Sequence, residues 1–276
     1  MRLMITVISV LMATFLAWES KAGIVAQTQS SQTADAREPV VVELFTSEGC
    51  SSCPPADALL AALDTRQPFG SAEIIAIEEH VTYWDEQGWK DPFSSSSWTT
   101  RQYDYAGPLH NGNPYTPQMV VDGTAGFVGS GGIKARQEIE KAAATRKAKV
   151  EISEVSPIQN NSVALKISVE KLLSAAPKDT AEVILAVTES GLHSSVKGGE
   201  NVGKELQHSP VLRELKVIGV VGKNGQEGFA AQPVVKLDSK WNAGNLRAVV
   251  FVQERKSRRI LAAGTVRLAQ HDVASR

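Results

Sequence analysis

The feature that most constrains the fold is the position of the only two cysteines, between a strand pattern and a helix pattern. The segment VVVELFT, residues 40–46, is β-branched and almost continuously apolar, as in a buried strand. A short turn then leads to Cys50-Ser-Ser-Cys53. Residues 54–66 follow with prolines in the first turn and leucines at helical spacing. The sequence therefore predicts a C-x-x-C motif at the start of the first helix.

This position predicts redox chemistry. Backbone N–H groups at a helix N-terminus stabilise a thiolate, so Cys50 is the predicted attacking thiol and Cys53 the resolving thiol. Glu48 and Asp57 oppose this effect if they lie nearby. A purely structural role is less favoured. In the chain-entropy model, closing a four-residue loop stabilises by ~2 kcal/mol, against ~4.7 kcal/mol for a loop of ~100 residues.

The elements that follow the motif alternate between strand and helix. We predict a strand over 72–81, a serine-capped helix over 94–106, a hairpin turning at Asp122-Gly123, and a helix over 133–147. The order β-α-β-α-β-β-α favours a parallel sheet with an antiparallel edge. We therefore predict an α/β domain over residues 39–147.

From residue 148 the pattern changes to short strands separated by turn signals, several with clean alternation of apolar and polar residues. Only residues 203–215 compete as a helix. The pattern predicts an all-β, sandwich-like domain over residues 148–270.

The N-terminus predicts export. Arg2 precedes a short apolar run, and Ser20-Lys21-Ala22 offers a small-x-small cleavage pattern, so residues 1–22 are a predicted signal peptide and 23–38 a flexible leader. The alternative is a transmembrane anchor, but the run is short of the ~20 residues that a spanning helix needs. We expect a periplasmic or secreted protein without stable membrane insertion after cleavage.

The unit strand–CxxC–helix, followed by β-α-β-β-α with Thr116-Pro117 before the third strand, resembles the thioredoxin fold. In that family the proline is cis and lies against the cysteine pair. The resemblance therefore implies that Thr116 and Pro117 hold substrate backbone near the sulfurs. This chain departs from thioredoxin itself, since Ser-Ser stands between the cysteines and Pro54-Pro55 follows them.

A closer resemblance is to a bacterial secreted family of unknown function, domain of unknown function 1223. It is carried by ELFTSEGCSSCPPADALL, HVTYWDEQGWKDPFSSSSWTTRQYDYA, YTPQMVVDG and GGENVGKELQHSPVLREL. The resemblance covers nearly all of the chain after the predicted signal peptide. It implies a thioredoxin-like N-terminal domain and a β domain, but no activity.

Three functions remain open. The preferred one is a thiol-disulfide oxidoreductase acting on exported protein or small-molecule thiols and disulfides, with no cofactor and with catalytic residues Cys50, Cys53, Thr116 and Pro117. The second is a copper or other soft-metal binding protein, in which His80 or His110 completes the site. The third is a non-catalytic binding module with a structural disulfide.

Other signals are weaker. A net charge of −1 gives no basic patch for nucleic acid. GGENVGK, residues 198–204, is not a phosphate-binding loop, because Glu205 stands where Ser or Thr should bind magnesium, and we expect an ordinary loop.

Seven of the sixteen aromatic residues lie within 83–105. They could form a docking surface, but the simpler interpretation, which we prefer, is a local core. In the same region His80, Asp85 and Asp91 are candidate proton shuttles.

Overall fold

The computed structural model describes residues 37–110, 112–208, 210–222 and 227–268. The predicted signal peptide and nearly all of the predicted leader lie outside these residues. No helix in the described part of the chain is long and apolar enough to span a lipid bilayer.

The first half follows the predicted order of elements. β1 (Glu38–Thr46), α1 (Pro54–Arg66), β2 (Ala72–His80) and α2 (Ser96–Leu109) precede the hairpin β3 (Gln118–Val121) and β4 (Ala125–Val128), and α3 (Gly132–Ala143) ends this half. The hairpin turns over residues 122–124, and Asp122 and Gly123 both have positive φ, as the predicted Asp-Gly turn requires. Ser95 caps α2, as predicted, through its side chain and the N–H of Ser97.

The second half is built of strands. They are β5 (Ala148–Gln159), β6 (Ser162–Val169), β7 (Ala181–Glu189), β8 (Leu192–Ser195), β9 (Glu205–His208), β10 (Val211–Val220), β11 (Phe229–Ala231), β12 (Val234–Lys236), β13 (Leu246–Glu254) and β14 (Ile260–Arg267). The competing helix over 203–215 is wrong, because β9 and β10 occupy this segment. The predicted boundary at residues 147 and 148 falls between α3 and β5.

The predicted fold class is wrong. An α/β thioredoxin-like domain followed by a separate β-sandwich would keep the strands of the two halves in different sheets. Instead, twelve strands from both halves form one mixed sheet, in the order β11-β6-β5-β14-β13-β7-β10-β2-β1-β3-β4 with β12 beside β6. The junction is the parallel pairing of β10 with β2 at Val211 and Glu78. Local patterns identify strands but do not identify partners that lie more than 100 residues away.

The core explains why the halves join. On one face of the first-half strands, Val40, Val42 and Leu44 pack with apolar residues of α1 and α3. On the other face, Val41 and Ile75 share a cluster with Ile184 of β7 and Phe251 of β13. β14 lies five strands from β1 along the sheet and yet contacts it, so the sheet is curled.

Candidate functional site

The two cysteines are joined in a disulfide at the carboxyl end of β1, with a Cα–Cα distance of 5.5 Å. Cys50 is 1 % exposed and Cys53 is fully buried, whereas Ser51 and Ser52 between them face solvent. Cys53 is the N-cap of α1, and the N–H groups of Ala56 and Asp57 both bond to its carbonyl oxygen. The motif therefore has its predicted place in the chain, but its sulfurs are covered.

The cover is the segment that we expected to be an ordinary loop, residues 198–204, here called the cap segment. Its 3-10 turn, Gly199–Asn201, lies over the cysteine turn. Nδ2 of Asn201 donates to the carbonyl oxygens of Glu48 (2.8 Å) and Cys50 (2.9 Å). A carboxylate oxygen of Glu200 accepts from the N–H of Ser51 at 2.9 Å. The cap segment and the cysteine turn are thus bonded across about 150 residues of sequence.

Glycine is required where the cap segment passes residues 83–105, here called the aromatic segment. A Cβ at Gly198 would lie 2.0 Å from the carbonyl oxygen of Gly88, and one at Gly199 would lie 3.3 Å from the Cβ of Trp89. Gly199 also has positive φ. These glycines therefore allow a close approach of two backbones, not binding of phosphate.

A buried polar cluster lies beside the disulfide, at the carboxyl ends of β1 and β2. His80 and Glu78 stand two apart on β2 and so project from the same face. His208, at the end of β9, joins them: its Nδ1 is 2.7 Å from Oε1 of Glu78, and its Nε2 is 3.1 Å from Oε1 of Glu48. His80 Nδ1 is 2.7 Å from Oδ2 of Asp91.

The charges of this cluster shift its titration. Ion pairing to Glu78 and Glu48 raises the pKa of His208 to about 9 against the opposing effect of burial. Burial raises the pKa of Asp57 to about 7, and the nearby carboxylate of Glu78 adds to the shift. Asp57 also accepts a hydrogen bond from the hydroxyl of Thr46 at 2.6 Å.

The aromatic segment of 83–105 packs mostly within the protein. Trp89 donates from Nε1 to Oε2 of Glu48 at 2.8 Å, and the ring of Phe93 contacts the rings of both histidines. Only Tyr103, at 57 %, is strongly exposed. These contacts favour the simpler interpretation, a local core. This core packs against one side of the polar cluster.

The structure brings together some of the predicted site residues. Thr116 and Pro117 are joined by a cis peptide bond, and Oγ1 of Thr116 accepts from Nε1 of Trp84 at 2.8 Å. Trp84 in turn lies beside Gly49, since a Cβ atom added at Gly49 would be 3.1 Å from the Cβ of Trp84. This tryptophan therefore links the Thr116–Pro117 bond to the cysteine turn.

Of the remaining predicted site residues, some belong to the polar cluster and others lie outside it. Asp91 and His80 are in the polar cluster. Asp85 contacts it from outside, since its carboxylate accepts from the N–H of Asp91 at 3.4 Å as well as from the hydroxyl of Ser94 at 2.7 Å. His110 is exposed at the C-cap of α2 and is not part of the cluster. In the disulfide state the two sulfurs bind each other, so no thiolate is available for copper.

Sequence reasoning missed Glu78, His208, Glu200 and Asn201. One signal was present: Glu78, Glu79 and His80 directly follow the apolar run of residues 74–77 in a buried strand, and charged groups in such a place need partners. Glu200, Asn201 and His208 lie in the string GGENVGKELQHSPVLREL, which carries the family resemblance. That string gave no role for them, because their partners are fixed only by tertiary contacts.

Comparison with known proteins gives a family but no activity. A family model described as "Protein of unknown function (DUF1223)" matches residues 41–253. No curated protein matches this chain. A crystal structure of a protein from Agrobacterium tumefaciens has 21 % identity and a TM-score of 0.63, and the match covers 87 % of this chain and 99 % of that one. A domain of the outer membrane lipoprotein Omp28 from Porphyromonas gingivalis has 17 % identity and a TM-score of 0.26, over 45 % and 90 % of the two chains. The first of these supports the fold alone.

Proposed function

Because the chain belongs to the DUF1223 family, which is defined without a function, we propose one from its own site: thiol–disulfide exchange through Cys50 and Cys53. The observation that carries this proposal is the disulfide at the start of α1, closed over by the cap segment. A four-residue loop stabilises little when it is cross-linked, ~2 kcal/mol in the entropic model, so stability alone is a weak reason for the bond.

The surroundings of the pair indicate its redox preference. Pro54 and Pro55 occupy the first helical positions and have no N–H, while the next two N–H groups bond to the carbonyl oxygen of Cys53. A thiolate here therefore has fewer backbone donors than at an ordinary helix start. Since an unstabilised thiolate disfavours the reduced form, we expect a reducing couple, not a strong oxidant.

The reaction begins when the cap segment moves away from the cysteine turn. An external thiolate attacks Sγ of Cys50, the Cys50–Cys53 bond breaks, and Cys53 leaves as a thiolate. Asp57 lies one helical turn beyond Cys53, so the two side chains share a face of α1. Its carboxyl group, with a pKa of about 7, supplies the proton to Cys53.

A second external thiolate then attacks the external sulfur of the mixed disulfide and releases Cys50. The two external thiols leave as a disulfide and have supplied both electrons. The reverse sequence oxidises the protein. Thr116 and Pro117 are the proposed residues that position substrate, since Trp84 connects them to the cysteine turn.

We also propose where the exchange takes place. The predicted signal peptide over residues 1–22 supports export to the periplasm or beyond, where disulfides persist. The substrates would then be thiols or disulfides of exported proteins or of small molecules.

The test is the reduction potential of the couple, measured on residues 23–276 at equilibrium with glutathione. We expect a value between about −200 and −270 mV, within the range of working oxidoreductases. Cys53→Ser should accumulate a mixed disulfide with glutathione at Cys50, detected by mass spectrometry, and Cys50→Ser should exchange no disulfide. Ser51→Ala, between the cysteines, is the matched control and should exchange normally.

A potential below about −300 mV, with no exchange within minutes, would show that the bond is structural. The binding-module alternative would then stand, and partner binding should survive replacement of both cysteines by serine.

A further inference from the structure

The polar cluster beside the disulfide has the arrangement of a metal site. Ligand atoms from Glu78, His80 and His208 all lie within 4.8 Å of one another, and all three side chains are buried. The thiol chemistry proposed above uses none of these three residues. Their function therefore needs a separate explanation.

Both histidines are oriented in the same way. Each ring has one nitrogen bonded to an outer carboxylate, His80 Nδ1 to Asp91 (2.7 Å) and His208 Nε2 to Glu48 (3.1 Å). The other nitrogen of each ring faces the same atom, Oε1 of Glu78. An outer carboxylate that fixes one ring nitrogen and directs the other inward is the usual support of a metal-binding histidine.

The outer carboxylates are themselves held in place. Asp91 accepts from the backbone N–H groups of Glu48 (2.8 Å) and Phe93 (2.9 Å). Glu48 accepts from Trp89 Nε1 and from the hydroxyl of Ser194. Because these acceptors are fixed, the two rings keep their inward direction.

The inward nitrogen of His80 has an ion-pair contact with Glu78 but no well-aligned hydrogen bond within the described part of the chain. This nitrogen, Nε2, is completely buried and lies 3.3 Å from Oε1 of Glu78. Two ligand atoms, each about 2.1 Å from one zinc ion at a tetrahedral angle, are separated by about 3.4 Å. His208 Nδ1 is closer to Glu78, at 2.7 Å, and would have to move out by roughly 0.7 Å.

A pocket borders the site on its solvent side. An open pocket of about 330 Å³ lies between Ala61 of α1 and the β8–β9 hairpin, and His208 is part of its wall. His193, exposed on the same hairpin, lies in the wall with it. The pocket therefore brings solvent up to His208, whose ring is itself buried at the edge of the cluster.

We propose that Glu78, His80 and His208 bind one divalent metal ion of the zinc type, with Asp91 and Glu48 as the residues that orient the two histidines. Two imidazoles and one carboxylate suit zinc and neighbouring first-row ions better than magnesium or calcium. Three protein ligands leave a fourth position for water or a small ligand.

The experiment uses residues 23–276 with the disulfide intact, treated with chelator and then titrated with ZnCl₂ by calorimetry. We expect one zinc ion per chain and an X-ray absorption spectrum with only nitrogen and oxygen neighbours. His208→Gln should weaken binding at least 100-fold. Asp91→Asn, which removes no ligand, should weaken it about 10- to 100-fold. His193→Gln, from the pocket wall, is the matched control and should bind as the unchanged protein does.

Sulfur neighbours in the spectrum, binding that survives His208→Gln unchanged, or no stoichiometric binding would each overturn the proposal. If His208→Gln does not fold, the spectrum of the unchanged protein decides. The result is separable from the thiol chemistry, because replacing both cysteines by serine should leave zinc binding unchanged.

Discussion

At the scale of single residues, the site is defined by buried charges that compensate one another. Glu78 illustrates this. Burial alone would raise its pKa, but His208 and His80 reverse the effect and lower its pKa to about 2. Asp57 has the opposite outcome, since burial and the charge of Glu78 outweigh the histidines. Two carboxyl groups of one region therefore differ in protonation at neutral pH, which is a common property of reactive sites.

The raised pKa of Asp57 predicts a pH dependence of stability. Its ordinary pKa in an unfolded chain is about 3.9, so between pH 4 and 7 the folded protein holds a proton that the unfolded chain has released. This contribution to stability is present below pH 4 and is lost as the pH rises to about 7. Asp57→Asn should remove it, so the unfolding free energy of the unchanged protein minus that of the variant should fall across this interval.

Urea unfolding at pH 4 to 8 measures this difference. Glu86→Gln, which neutralises an exposed carboxylate in the aromatic segment, is the control and should give a flat difference. A flat difference for Asp57→Asn would contradict the assignment of the proton to Asp57.

At the scale of elements, the decisive contact is the one between the cap segment and the cysteine turn. Its bonds from Asn201 to the carbonyl oxygens of Glu48 and Cys50 hold closed a segment that carries no apolar core of its own. A segment held mainly by a few hydrogen bonds can open locally without global unfolding. Such opening is the step that the proposed exchange requires.

Weakening these bonds should expose the disulfide more often. Asn201→Ala removes the two side-chain hydrogen bonds to the cysteine turn, of about 1 kcal/mol each, so the rate of reduction by dithiothreitol should rise about 5- to 30-fold. The rate is followed by alkylation and mass spectrometry. Glu205→Ala, exposed just beyond the cap segment, is the control and should leave the rate unchanged. An unchanged rate for Asn201→Ala would mean that the cap segment does not limit access.

At the scale of the whole molecule, the continuous sheet makes the two halves depend on each other. β2 lies between β1 of its own half and β10 of the other half. The N–H of Glu78 in β2 bonds to the carbonyl oxygen of Pro210 at 2.8 Å. Val41 and Ile75 belong to one hydrophobic cluster with residues of β7 and β13. The cluster of Glu78, His80 and His208 likewise draws on both halves.

We therefore expect that residues 39–147, the predicted first domain, do not fold alone. The fragment would expose one apolar face of β1 and β2, so it should bind a hydrophobic dye and unfold without a cooperative thermal transition. Residues 23–276 are the control and should unfold in one transition. A cooperative transition with native near-UV dichroism in the fragment would show that 39–147 is an independent domain.

The sequence by itself determined the local elements around the cysteines. α1 has the predicted bounds, the turn at Asp122-Gly123 is present, and Ser95 caps α2, because apolar spacing, prolines, turn residues and caps act over a few neighbouring residues. Only the tertiary structure decided what surrounds the disulfide. The cap segment, His208 and β10 reach the first half from 110 or more residues away, and their pairing depends on which surfaces become buried together, which no local pattern contains.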